Sequence, residues 1–393
     1  MEVFQLMMTA LPENPSAFLC LGFALLYALY YFFYVGKRPE IACGDEDLRR
    51  FIEQHCPISR EKYWPTWWCI ESHAQTLVRA ALQADLPINY IGEHVKTQDG
   101  GEILLDWYED EGKSPYPSET RPTIVFLPGL TGSSKENYIL HLVNDAAHMG
   151  YRSVVFNNRG TGHSSLKTPL TYCAANVEDT KLVISHIREL YPQSPLVGVG
   201  VSLGGIILVN YLARVGTQTD LLAAMIVSPA YDLHESCSSL DRPLNYWLFN
   251  RQLAHNLCDI IRRNMDLFEQ HLDIDTAHVL RSESIKDFDE RLTVKLFGFE
   301  SADHYYTEAS LHTKVHSLSK PVVCLSAADD PFAPEYSIPT ALAQRSKNIA
   351  IIKTSHGGHI GFLETVFPRH HNYMNRWFQQ FVSAVFQHGI SSE

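Results

Sequence analysis

The stretch Gly200-Val201-Ser202-Leu203-Gly204 constrains this chain more than any other, because of what flanks it. Leu196–Val201 before it is short, apolar and strand-like, and Leu203–Val215 after it carries apolar residues at helical spacing. A strand that turns at once into a helix holds the residue at the turn in a strained backbone and lifts its side chain clear of the sheet. Gly200 and Gly204 leave room for that turn, since a Cβ at either place would crowd the neighbouring chain. Ser202 is therefore a candidate nucleophile.

The surrounding pattern supports a layered fold. Ile91–Thr97 and Glu102–Tyr108 read as strands of a hairpin around Asp99-Gly100-Gly101, followed by a polar loop over 109–121. Strand-like runs then follow at Thr123–Leu127, Arg152–Phe156, Leu196–Val201, Ala223–Val227, Val322–Ser326 and Ile349–Lys353. Helical patterns lie at Lys135–Met149, Val177–Leu190, Leu203–Val215, Glu335–Arg345 and Tyr373–Phe386. Alternation of this kind implies a mostly parallel sheet with helices on both faces. A charged, aromatic and mainly helical stretch over about 231–315 interrupts it, and reads as a cap inserted over the carboxyl edge of the sheet. The domain itself is expected to run over 91–388, after a connecting helical region at 37–90.

A serine hydroxyl is a weak nucleophile and needs a base, which in turn needs an orienting acid. In a strand–turn–helix setting of this kind the order along the chain is serine, acid, histidine. Asp329-Asp330-Pro331-Phe332-Ala333-Pro334 leaves the end of a late strand, and Ser355-His356-Gly357-Gly358-His359 leaves the end of the next. Asp330 sets Pro334 four positions on, in a D-x-x-x-P pattern, and is preferred to Asp329, which reads as a turn residue or helix cap. His359 follows two glycines that let its loop approach the serine, and is preferred to His356. The backbone N–H groups of Leu203, after the nucleophile, and Leu130, in the turn after Thr123–Leu127, are expected to hold an oxyanion. Asn157–Ser164, which contains Arg159-Gly160-Thr161-Gly162-His163-Ser164, is expected to shape a pocket wall.

Other chemistries find less support. Gly198 and Gly200 start a dinucleotide fingerprint, but Leu203 stands where its third glycine belongs, and Gly129–Lys135 fails the P-loop spacing. The eight cysteines are sparse and form no C-x-x-C pair, so neither a metal nor a disulfide framework is expected, and no cofactor. Cys324, in an apolar run, reads as a buried thiol. A net charge of -12 without any Lys/Arg tract offers no footprint for nucleic acid. His94–Asp99 matches an H-x-x-x-x-D acyltransferase pattern, but in a hairpin far from the serine it reads as a chance match.

The N-terminus carries a second strong signal. After a tail at 1–16, residues Ala17–Gly36 run for 20 positions without a charge. At 1.5 Å per residue such a helix spans a hydrocarbon core of about 30 Å. No Lys or Arg precedes it, which disfavours a cleaved leader and favours a single-pass signal-anchor. Lys37 and Arg38 just after it, against Glu2 and Glu13 before it, favour a cytosolic C-terminal domain. The chain has no usable N-glycosylation sequon, because Pro15 blocks Asn14-Pro15-Ser16. Tyr63-Trp64-Pro65-Thr66-Trp67-Trp68 either rests among lipid headgroups or packs over the domain, and the sequence leaves both open.

Taken together, FLPGLTGSSKENYILHLV, VVFNNRGTG, PLNYWLFN, DFDERLT, SAADDPFAP and GGHIGFLE resemble the membrane-anchored abhydrolase domain-containing proteins, members 1 and 3. The resemblance covers nearly all of the chain after the anchor and implies the α/β-hydrolase fold. It also implies a phospholipase acting on phosphatidylcholine and favouring medium-chain or oxidised acyl groups, in the endoplasmic reticulum or another endomembrane. The family is usually described with a cytosolic N-terminus, opposite to the charge reading. Thr161-Gly162-His163-Ser164 departs from several relatives. The expected partners are a lipid ester and a membrane; the sequence names no protein partner. Acyl transfer through the same serine, and a non-catalytic lipid or steroid receptor, are the rival functions.

Overall fold

The computed structural model describes residues 15–390 apart from 111, 113, 163, 271–273 and 371. The N-terminal tail to residue 14, with Glu2, Glu13 and Asn14, and His163 of the glycine loop therefore lie outside the described residues. Nine strands form a single sheet: β1 Glu40–Ala42, β2 Ile91–Lys96, β3 Glu102–Tyr108, β4 Thr123–Leu127, β5 Arg152–Asn157, β6 Leu196–Val201, β7 Leu221–Val227, β8 Val322–Ala327 and β9 Ile349–Thr354. Their order is β1-β9-β8-β7-β6-β4-β5-β3-β2. Every pair from β5 across to β9 is parallel. The edge strand β1 pairs antiparallel with β9, and at the other edge β3 pairs antiparallel with both β5 and β2.

Parallel strands covered on both faces bury nearly every side chain, and here β4, β5, β6 and β8 are buried at all positions. The principal helices are α1 Pro15–Tyr30, α2 Glu46–His55, α3 Ser72–Leu82, α4 Asn137–His148, α5 Glu178–Leu190, α6 Leu203–Val215, α7 Leu233–Leu240, α8 Arg251–Arg263, α9 Ala302–Ala309 and α10 Tyr373–His388. One core joins α5 and α6 to one face of the sheet. The second joins α2, α4 and α10 to the other. Trp377, Phe378, Phe381, Val382 and Val385 recur along α10 at helical spacing and are all buried there. Fully burying a side chain of that size contributes about 1.5–3 kcal/mol. Cys324 sits inside β8, where burial pushes its thiol up to about 12.

Two expectations change. Glu335–Arg345 is not one helix but a tight turn at Glu335–Ser337 and a short helix at Thr340–Ala343. Pro339 separates them: it cannot donate a helical hydrogen bond, and it holds Ile338 in an extended conformation. The connecting stretch after the anchor is more than helical. It contains α2 and α3, but Glu40–Ala42 also pairs with Lys353–Ile351 and closes the β9 edge of the sheet. Three residues of strand between a glycine and a polar helix start carry too little periodicity to be read from sequence.

The turn around Ser202 is packed on backbone. A Cβ at Gly204 would lie 2.1 Å from the Leu127 carbonyl oxygen, and one at Gly200 2.6 Å from the Gly205 Cα. Neither obstacle is a flexible side chain. Gly204→Ala is therefore expected to destabilise the protein by about 1–3 kcal/mol, the usual range for overpacking. Thermal unfolding of the two proteins measures this; an unchanged Tm would show that α6 can slide away from β4.

Candidate active site

Ser202 stands at the end of β6 with φ +53° and ψ -120°, a backbone region that costs a non-glycine residue about 1–3 kcal/mol. Its N–H donates to the Val227 carbonyl at 2.8 Å, and its own carbonyl accepts from Gly205 and Ile206. Strand pairing on one side and the first turn of α6 on the other thus hold the strain in place. Residues Leu203–Leu212 of that helix are buried without a break, so the helix cannot roll to relieve it.

The structure brings three of the candidate residues together. His359 Nε2 lies 3.0 Å from Ser202 Oγ, and His359 Nδ1 lies 3.0 and 3.1 Å from the two carboxylate oxygens of Asp330. Asp330 also accepts the Phe332 N–H at 2.8 Å, which fixes its carboxylate in the plane of the loop. The Phe332 ring stacks on the imidazole with centroids 3.9 Å apart and planes 8° from parallel. His356 is elsewhere, 3.0 Å from Ser355 Oγ, and burial pulls its pKa down. Asp329 points away from the imidazole and accepts the Gly358 N–H at 2.9 Å. Burial pushes the Asp329 carboxyl up to about 7 against that hydrogen bond, and the neighbouring Asp330 adds to the rise.

The two N–H groups expected to face an oxyanion, those of Leu130 and Leu203, border the same cavity as Ser202 and His359. Among the described residues neither has a protein acceptor. The loop around Leu130 is braced by two half-buried tyrosines: Gly129 N–H donates to Tyr138 Oη and Thr131 N–H to Tyr172 Oη, both at 3.0 Å. Thr131 adopts φ +59° as the chain reverses. The N–H groups on either side of Leu130 are thereby occupied, which leaves that of Leu130 free.

The sequence pattern predicts a helix over Glu71–Asp85, which is α3, but gives it no part in the site. The His359 N–H donates to Thr76 Oγ1 at 2.9 Å, while the Thr76 hydroxyl donates to Ser72 O. Arg79 donates to the carbonyls of Ile360 and Gly361 at 2.7 and 3.2 Å. Gln75 Oε1 accepts from Leu363 N–H and the Tyr63 hydroxyl. One helix from the stretch after the apolar N-terminal helix therefore holds one side of the histidine loop. Arg79 is buried with no carboxylate beside it, and burial drags its pKa down to about 9. The partners are 281 to 288 residues apart along the chain, and no local pattern announces such contacts.

The glycine loop is tied down by charge. Arg159 binds Asp179 at 2.6 and 2.7 Å and Asp99 at 2.6 and 3.0 Å. The guanidinium holds the Asp99 carboxyl far below its usual range. Asp99 of the H-x-x-x-x-D match is thus engaged with Arg159, and its His94 faces Glu102, not Ser202.

A cavity of about 370 Å³ opens above Ser202. Its walls combine the loops after β4, β6 and β9 with the cap, including Leu233, Leu240, Leu253, Leu257 and Phe288. The cap has a small core of its own around Leu257, Ile261, Phe268 and Leu292. Asp289 borders the cavity as well, fully buried. It accepts hydrogen bonds from Thr293 Oγ1 at 2.7 Å and Tyr306 Oη at 3.0 Å. Burial outweighs both and pushes its carboxyl up to about 7. Among the described residues no group of three or more His, Cys, Asp or Glu side chains could hold a metal ion.

A strained serine at a strand–helix turn, a histidine and an acid on later loops, and a cap over a parallel sheet define an α/β hydrolase. The family model described as "alpha/beta hydrolase fold" matches residues 122–366. The chain belongs to that family, within the abhydrolase domain-containing group that includes Phospholipase ABHD3. It is 45% identical to human Phospholipase ABHD3 over 372 residues, 94% of this chain and 90% of that protein. It is 36% identical to Protein abhd-3.2 of Caenorhabditis elegans over 86% of this chain and 89% of the relative. It is 27% identical to mouse Monoacylglycerol lipase ABHD2 over 89% and 86%. The chain is a hydrolase. The match begins at residue 122, so α3, which holds the histidine loop, lies before it.

Two expectations follow. Asp330→Asn keeps the size of the side chain but favours the wrong imidazole tautomer, and should cost about 10⁴ in turnover. Asp329→Asn keeps an acceptor for Gly358 and should cost less than about tenfold, roughly one neutral hydrogen bond. Steady-state kinetics on a short-chain ester compares them; the reverse order would move the acid to Asp329. Asp289 gives a pH test. Its pKa is near 7 when folded and about 3.9 when unfolded. The folded state therefore binds more protons between those values, and stability falls as pH rises from about 4 to about 7. Asp289→Asn should flatten the decline of Tm between pH 5 and pH 8, leaving the part due to Asp329. An unaltered slope would show that Asp289 is ionised in the folded protein.

Proposed function

We propose that this protein is a serine hydrolase that cleaves acyl esters of membrane lipids, with phosphatidylcholine as the phospholipid. The observation that carries this reading is the hydrogen-bonded chain Ser202–His359–Asp330 at the floor of an apolar cavity. Ser202 Oγ attacks the ester carbonyl carbon while His359 Nε2 takes its proton. Asp330 holds the proton on Nδ1 and stabilises the imidazolium. The carbonyl oxygen becomes an oxyanion and receives the N–H groups of Leu130 and Leu203. As the intermediate collapses, His359 returns the proton to the departing alcohol, leaving the acyl chain on Ser202. Water then repeats the sequence and releases the fatty acid.

The lipid substrate rests on three supports. The cavity wall is largely leucine, isoleucine and aromatic, which suits an acyl chain. The relatives bear the names phospholipase and monoacylglycerol lipase. Ser16–Val35 is a helix long and apolar enough to cross a membrane, and it lies almost wholly exposed on the domain. In this reading it anchors the enzyme in an endomembrane that supplies the substrate. The choice of phosphatidylcholine follows the family resemblance.

A fluorophosphonate probe should label the wild-type protein and leave Ser202→Ala unlabelled. In phosphatidylcholine vesicles the wild type should release fatty acid and lysophospholipid, with a loss of at least about 10³ in Ser202→Ala. Equal labelling of both proteins would remove Ser202 from the mechanism. Loss of phosphatidylcholine without free fatty acid, and with an acylated acceptor, would turn the reading to acyl transfer.

A further inference from the structure

The helix that can cross a membrane does not leave the domain as a free tether. Its last turns are fastened to the aromatic segment that follows α2. Tyr31 Oη donates to the Pro65 carbonyl at 2.6 Å, and the Tyr27 hydroxyl donates to the Trp67 carbonyl. The rings of Tyr31 and Phe32 lie 5.4 and 5.6 Å from that of Trp64. A Cβ at Gly36 would fall 2.1 Å from the same indole, so chain and ring are in full contact. Tyr27 stands nine residues before Gly36, which at 1.5 Å per residue is about 13 Å along the helix axis. The segment from Trp64 to Trp68 therefore climbs beside the helix rather than starting where it ends.

That climb has a consequence for a helix of 20 residues, which has little length to spare over a hydrocarbon core of about 30 Å. Anything level with Tyr27 lies well inside the end of the span, among headgroups and upper acyl chains. The residues held there suit that layer. Trp67 is 51% exposed and Trp68 42%. Trp68 Nε1 donates to the Val366 carbonyl at 2.8 Å and Thr66 Oγ1 to that of Thr365. These bonds bring in a second loop, which presents Phe367 at 81% exposure. Toward the domain the character changes: Lys37, Arg38 and Lys62 are exposed, and Lys62 Nζ lies 5.4 Å from the Trp64 ring. Apolar helix, aromatic layer and cationic layer thus follow one another in the order of acyl chain, interface and phosphate.

We propose that Trp67, Trp68 and Phe367 form a seat that sinks one edge of the hydrolase domain into the phospholipid bilayer crossed by its own N-terminal helix. The seat is a second, independent contact with lipid, and it fixes the tilt of the domain on the membrane. It reaches the active site directly, since the chain passes from Trp68 through Glu71 into α3, whose Thr76 holds the backbone of His359.

Depth-dependent quenching tests this without reference to hydrolysis. The full chain, with Ser202→Ala in every sample so that the lipid stays intact, is placed in phosphatidylcholine nanodiscs with or without lipid brominated on the upper acyl carbons. Bromine should quench the tryptophan fluorescence, and Trp67→Phe with Trp68→Phe should abolish at least half of the quenched fraction. Adding Phe367→Trp to that double variant should restore it. Quenching that the double variant retains in full, or a Trp at 367 that bromine does not reach, would overturn the seat. A protein that never enters the nanodisc would overturn it too, by removing the anchor. Fatty-acid release plays no part in the readout, so a failure of the hydrolase reading would remain a separate result.

Discussion

Everything in the site is referred to one contact of backbone on backbone: α6 lies so close to β4 that position 204 has room for hydrogen only. That closeness forces the reversal at Ser202 and stores its unfavourable φ. It also puts the buried start of α6 beside the loop after β4, so Leu203 and Leu130 line one cavity with Ser202. The parallel sheet supplies the rest. Strands β8 and β9 run alongside in the same direction, so the loops that leave their carboxyl ends converge on the same edge. Ser202, Asp330 and His359 are brought together by strand direction more than by any attraction among themselves.

His359 lies farther past the end of its strand than Ser202 or Asp330 does, since β6 ends at Val201, β8 at Ala327 and β9 at Thr354. Its position is maintained from two sides. Asp329 and Asp330, on the loop after β8, accept the Gly358 N–H and bind the His359 imidazole, while α3 accepts the His359 N–H through Thr76 and donates to the carbonyls beyond it through Arg79. Two groups here are buried against their electrostatic preference, Asp329 with a raised pKa and Arg79 with a lowered one. Such groups reduce stability, and they persist where they satisfy backbone atoms of a loop that must not move. Strand β1 and α3 pack the stretch after the apolar N-terminal helix into the hydrolase domain. The physical connection between the apolar N-terminal helix and α3 is fewer than fifty residues of chain, most of it packed.

The cap adds a different constraint. It has a core of its own, against which Leu130 and Tyr172 pack, and it brings Asp289 to the cavity wall. A carboxyl titrating near neutrality inside an apolar cap makes the packing of that cap depend on pH in a range where most surface carboxylates are silent.

Much of the architecture is written in local pattern. Alternating apolar runs and helical periodicity are properties of neighbouring residues, and so are the glycines that flank Ser202 and the uncharged span before Lys37. The order serine, aspartate, histidine is linear as well, so Asp330 and His359 could be named before any coordinates. What depended on packing was the break at Pro339, the strand at Glu40–Ala42 and the place of the Trp64–Trp68 segment. The clamp on the histidine loop and the buried Asp289 were invisible throughout. A hydrogen bond between Thr76 and His359 spans 283 positions, and burial of a carboxylate depends on every side chain around it. Sequence determines what is periodic and adjacent; which distant surfaces meet, and which polar groups lose their water when they do, is decided only when the chain closes on itself.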